Sequence, residues 1–241
     1  MAQVIQYSSW LVGLPLELLI IGALVRGPYR RFPLLLLYSL ALFLTTSIEI
    51  SVTQAYFAGI RFTHSRSVYY WVDESIREGL LFAFVLSLAY LATEKLRSRL
   101  PVRIGLIAGG VTFVAASFLI HRQLTTGPGH WPWMTPWVRD IDFAAAVIDF
   151  AVWALLIGSR QRDTQVLLLA SGVGIQFAGA AIGESLRTLF PGFRLAGSFV
   201  EIVASLAGMY IWWQALRAAR VPQTTRVAIS SPGDQRGATR W

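Results

Sequence analysis

The sequence predicts an all-α polytopic membrane protein, a bundle of seven transmembrane helices with its N-terminus outside and its C-terminus in the cytoplasm. Three observations carry this. Of the 241 residues, 55% are hydrophobic and only 14% charged, with a positive mean hydropathy, which is too apolar for a soluble domain of this size. The apolar residues gather into seven runs of about 20 residues, the length that crosses a bilayer core. The basic residues sort to alternate loops.

The runs cover about residues 4–25, 33–57, 68–92, 102–120, 137–157, 164–186 and 195–216. The first is expected to be a span and not a cleaved signal peptide. MAQVIQYSS lacks a basic leader, and the positive cluster RGPYRR follows the apolar run. Orientation follows from the short loops. Fourteen basic residues fall on one side: Arg26, Arg30, Arg31, Lys95, Arg97, Arg99, Arg103, Arg160, Arg162 and five in the C-terminal stretch, Arg217, Arg220, Arg226, Arg236 and Arg240. Six fall on the other: Arg61, Arg66, Arg122, Arg139, Arg187 and Arg194. Cytoplasmic loops retain the excess of Lys and Arg, so the protein is expected in the cell inner (cytoplasmic) membrane. The net charge of +8 therefore reports topology, and no nucleic-acid partner is expected.

Residues 1–220 read as the seven-helix domain and 221–241 as a disordered basic cytoplasmic tail, polar and Pro/Gly/Ser-containing, with the charge to touch anionic lipid. The outer stretch TTGPGHWPWMTPW, residues 125–137, reads more simply as an interfacial aromatic belt than as a lid or ligand-stacking loop.

The acids are placed oddly for a membrane protein. Ten of the 13 lie within or at the ends of spans: Glu17, Glu49, Asp73, Glu74, Glu78, Asp140, Asp142, Asp149, Glu184 and Glu201. At 1.5 Å per residue, most fall in the outer third, Glu49 on the outer side of the middle, and Glu17 and Asp149 nearer the midplane. An ionised side chain at the bilayer centre costs about 2.5 to 3.5 kcal/mol on insertion scales, so such groups face the bundle interior. Thr46, Glu49 and Thr53 share one face of the second helix. Arg77 can serve Asp73 at i,i+4 and Glu74 at i,i+3, which leaves Glu78 without a local partner. Glu184 and Arg187, and likewise Arg139 and Asp142, stand three apart. Asp142 and Asp149 are seven apart on one face, and Asp140 and Asp142 read as plain rim residues.

The acids converge, on this reading, on an outward-facing polar cavity whose ligand-binding residues are Glu49, Asp73, Glu74, Arg77, Glu78, Asp149, Glu184, Arg187 and Glu201. The competing reading makes them interhelical fasteners. Polar contacts between membrane helices average only about 0.6 kcal/mol, so ten acids are inefficient glue. GAAIG (179–183) and GLIAG (105–109) already offer close-packing surfaces.

Several chemistries drop out. There is no cysteine, hence no disulfide, thiolate metal site or cysteine nucleophile. A retinal Schiff base needs a lysine in the last span, and the one lysine is Lys95. Haem or a zinc hydrolase site needs histidines inside spans, whereas His64, His121 and His130 lie in or beside outer loops. Ser171 and Ser198 have no histidine at bilayer depth. No catalytic set, cofactor or metal is expected.

PYRRFPLLLLYSLALF, YYWVDESIREGLLFAFVLSLAYLATEKLR and GVGIQFAGAAIGESLRTL resemble stretches of a family of bacterial seven-span membrane proteins of the acidobacterial type, which has no assigned function. The positions that match are Arg31, Phe32, Pro33, Trp71, Glu74 and Glu184, while Asp73, Arg77 and Glu78 depart from the more apolar family pattern. The resemblance implies the architecture and brings no activity. The expectation is a sensor or carrier for a small cationic ligand or a proton, embedded in the lipid bilayer. The alternative is a structural or assembly subunit bound to a membrane-protein partner.

Overall fold

All seven expected runs are helices in the computed structural model, which describes residues 2–57, 65–94, 100–124, 133–158 and 163–218. They are α1 (Ala2–Val25), α2 (Pro33–Phe57), α3 (Ser65–Glu94), α4 (Leu100–Leu124), α5 (Met134–Gly158), α6 (Thr164–Leu189) and α7 (Arg194–Ala218). Six are long and apolar enough to cross a membrane, and α1 adds a shorter apolar stretch, Trp10–Val25. The chain is a multi-pass integral membrane protein. The proposed tail, most of the 125–137 stretch, Lys95, His64 and His130 lie outside the described residues.

The helices α1, α2, α3, α5, α6 and α7 close a ring in that order, α7 returning to α1, and α3 also touches α6 across it. The fourth helix stands outside the ring against α3 and α5. Each helix is apolar on both sides, as a bilayer demands. On α5 the residues Ile141, Ala145, Ile148 and Val152 are buried, while Phe143, Val147 and Phe150 turn outward. Polar side chains can therefore stay out of lipid only by facing the ring's interior.

Proline sets the entry to α2. Pro33 occupies its first position, where a missing N–H costs no helical hydrogen bond. Just before it, Phe32 is buried and Arg31 reaches across the bundle. The Arg31 guanidinium pairs with Asp163 and donates to Gln165 Oε1 at 3.1 Å. Asp163 in turn caps α6 by accepting from the Val166 N–H at 3.3 Å. Arg31 thus clasps the start of α2 to the start of α6.

The tightest pairing is between α6 and α7, and glycine makes it so. A Cβ on Gly183 would lie 2.7 Å from the Gly197 carbonyl oxygen, and one on Gly172 would lie 2.9 Å from that of Gly208. Gly179 faces Ala204 between these two crossings. The GAAIG stretch thus forms half of a small-residue seam that lets the two backbones meet. The other such stretch does the opposite. Gly105 and Gly109 meet nothing within 4 Å, so the GLIAG face of α4 looks away from the bundle.

An aromatic group fills the middle of the ring. Trp212 of α7 is almost completely buried, with Tyr38 of α2 and Phe84 of α3 each edge-on to it at 5.8 Å. Its indole N–H donates to the Leu169 carbonyl at 2.9 Å, which satisfies the polar atom of the indole.

Candidate functional site

Next to this stack sits a charged centre drawn from α1, α2, α3 and α5. Arg77 Nε pairs with Glu78 Oε1 at 3.2 Å. Glu78 is also within electrostatic reach of Asp142 of α5, and Glu74 acts on Arg77 electrostatically from the preceding turn. Tyr38 is buried on α2 within electrostatic reach of Glu78, Arg77, Glu17 and Asp142, so it marks the point where four helices' polar groups face one another. Among the described residues, Arg77 is the one basic side chain placed away from the helix ends.

The local pairing differs from that expected from spacing. Asp73 does not share Arg77. Its Oδ1 accepts from the Thr45 hydroxyl of α2 at 2.6 Å, which turns it toward a neighbouring helix. Arg77 takes Glu78 instead, the residue expected to lack a local partner. Adjacent helical residues diverge by about 100°, yet a long guanidinium stem spans that gap when both heads lean into the same interior. Asp142 is likewise no rim residue. It lies half-buried within electrostatic reach of Glu78 and Arg77, while Arg139 is exposed.

Two carboxylates in electrostatic reach of each other repel unless a nearby cation or a bound hydrogen offsets their charge. The centre is thus a set of acidic groups around one guanidinium.

Glu17 lies deeper in the ring. It is 3% exposed, and its Oε1 accepts from the Thr46 hydroxyl at 3.3 Å while Oε2 has no hydrogen-bond partner. The expected Thr46 face of α2 is real, but it serves Glu17 rather than Glu49. The Glu49 side is exposed.

Three further residues in the expected set form a different site. Arg187 pairs with Glu184 at 2.9 Å and with Glu201 of α7 at 2.6 Å. Arg187 and Glu184 are the expected i,i+3 pair, and Glu201 joins α7 to it. The main electrostatic influences on Arg77, Tyr38 and Asp142 come instead from Glu17, Glu74, Glu78 and one another. At the same end of the bundle, Asp140 accepts from Ser117 and meets His121 Nε2 at 3.0 Å, which ties α4 to α5. Asp149, 4% exposed, lies apart from both groups.

Sequence reasoning placed Glu74, Arg77 and Glu78 together and missed Tyr38, Glu17 and Asp142 as their companions. Glu17 and Asp142 gave a signal, since each is an acid in an apolar run. Tyr38 gave none, because a tyrosine in a span reads equally as lipid-facing. Among the described residues, no group of three or more His, Asp or Glu side chains is arranged to hold a metal ion. No family model, curated protein or solved structure matches the chain, so its own side chains carry the functional reading.

Proposed function

We propose that the protein is a sensor or carrier for a proton or a small cation, acting from the cytoplasmic membrane through the centre formed by Glu17, Glu74, Arg77, Glu78 and Asp142. One observation carries this reading: Glu78 and Asp142, carboxyls from two different helices, come within electrostatic reach of each other inside the bundle. A fastener would pair an acid with a base. A pair of acids on separate helices instead draws the helices together when it holds a cation and pushes them apart when it does not. Cation occupancy and helix packing are then linked, which is what both carrying and sensing require.

The alternation of basic loops supports an N-outside orientation, with the centre in the outer half of α3 and α5. Glu49, Asp73, Glu184, Arg187 and Glu201 then border the approach from outside. In proteoliposomes carrying an internal pH-sensitive dye, the wild type is expected to pass or take up protons. Glu78→Gln with Asp142→Asn, each nearly isosteric, is expected to abolish the response while the protein still folds. An unchanged response in the double variant rejects the reading.

A second reading, that of a subunit in a larger membrane complex, is favoured by the open GLIAG face of α4. Extraction in mild detergent separates the two. A stoichiometric partner lost on Gly109→Leu supports the subunit role, and an unchanged monomeric or homodimeric species rejects it.

A further inference from the structure

We propose that Asp149 is a second proton-binding site, separate from the Arg77 centre and kept open by Gly174. The proposal extends the proton reading of the main centre to a position deeper along α5.

Asp149 is 4% exposed and its Oδ1 has no hydrogen-bond partner, in a protein whose other interior acids mostly have one. Its other oxygen lies against α6, where a Cβ on Gly174 would fall 3.1 Å from Oδ2. That distance is tighter than an ordinary carbon–oxygen contact. Any larger residue at 174 would press on the carboxyl, so glycine supplies the space it occupies.

No basic side chain balances it. The helices packed against α5 are α3, α4 and α6. The third has no charged residue between Glu78 and Glu94, the fourth none between Arg103 and Arg122 apart from His121 at its end, and the sixth none before Glu184. On α5 itself the nearest charged residue is Asp142, two turns away, or about 10 Å at 1.5 Å per residue. Metal ligation is also unsupported, since among the described residues no group of three or more acids and histidines includes it. A hydrogen ion is the cation that one carboxyl can bind alone, forming a single O–H bond and leaving a neutral acid.

The path between the two acids fits exchange. Positions three and four beyond Asp142, on the face it shares with Asp149, are Ala145 and Ala146. On α5 itself the side chains between the two carboxyls on that face are methyl groups, whereas Phe143, Val147 and Phe150 are exposed on the adjoining flank. Glu78–Asp142 and Asp149 are thus two proton sites on one small-residue track.

Infrared difference spectroscopy of the full chain in lipid bilayers tests this. Protonated carboxyls give an isolated C=O stretch that moves on exchange into heavy water and vanishes as the acid ionises. The wild type is expected to show such a band that Asp149→Asn removes and that Glu78→Gln with Asp142→Asn leaves in place. Gly174→Ala is expected to keep the band and shift its frequency or its pH midpoint, which a merely structural effect on folding does not do. The proposal is overturned if Asp149→Asn leaves the carboxyl region unchanged, or if Gly174→Ala leaves both frequency and midpoint unchanged. If instead the Glu78/Asp142 variant alone alters nothing, the reading of the main centre fails while Asp149 stands.

Discussion

Replacing Arg77 by alanine is expected to destabilise the bundle more than any other single charge deletion. The change removes the only guanidinium from a centre that holds Glu74, Glu78 and Asp142, and leaves those acids facing each other in a medium that solvates charge poorly. Breaking a buried ion pair by removing one partner costs about 3 to 5 kcal/mol. The Arg77 side chain retains 34% exposure, so the lower end, about 3 kcal/mol, applies. Thermal unfolding in detergent should show a clear fall in midpoint. The cause is separable from lost packing: adding Glu78→Gln should recover part of the loss, because the surplus negative charge is then smaller. A fully additive double variant would mean that Arg77 stabilises through its aliphatic stem alone.

Trp212→Ala is expected to have a comparable effect by a different route. The indole is 1% exposed and stands between the edges of Tyr38 and Phe84, so its removal empties the middle of the ring. Truncating a buried tryptophan typically costs about 3 to 5 kcal/mol, and little relaxation is available where Gly172 and Gly208 already bring α6 and α7 backbone to backbone. Trp212→Phe retains most of the ring contacts and loses the hydrogen bond to the Leu169 carbonyl, so about 1 kcal/mol is expected. Because Tyr38 rests on this ring, Trp212→Ala should also lower proton uptake, whereas Trp212→Phe should leave it nearly intact. Equal midpoints for the two variants would remove the aromatic stack from the explanation of stability.

The seven helices were legible because their signals are additive along the chain. Run length, hydropathy and loop charge each repeat in every span, and α2 begins and ends where its apolar run does. The identity of the partners was less legible. Helical spacing brings Asp73 and Glu74 within reach of Arg77, but spacing is silent on what the next helix offers. Thr45 lies on α2 and withdraws Asp73 from the set. Asp142 looked like a rim residue because it stands near the start of its helix. Its inward direction depends on α3 and α5 packing together, which no local pattern records. The α6–α7 seam was half visible: GAAIG could be read, whereas its complement, Gly197, Ala204 and Gly208, follows a mixed seven- and four-residue spacing that matters only once the helices face each other.

Arg31 illustrates the same limit from the other direction. It stands just before Phe32 and Pro33, and its surroundings give that position a physical role. One side chain joins the entry of α2 to the cap of α6, 132 residues away. Local sequence showed a basic residue at a helix end, for which interaction with the bilayer surface is explanation enough. The long-range pairing became visible only with the fold.

The most direct measurement of the central claim is a proton count. Wild type and the Glu78→Gln/Asp142→Asn variant, in the same detergent and both shown to be folded, are titrated across the neutral range and the protons bound per chain are compared. A carboxyl pair that holds a proton inside the bundle predicts about one additional proton for the wild type, titrating as a property of the pair. Identical curves would contradict it and leave these acids as interhelical fasteners.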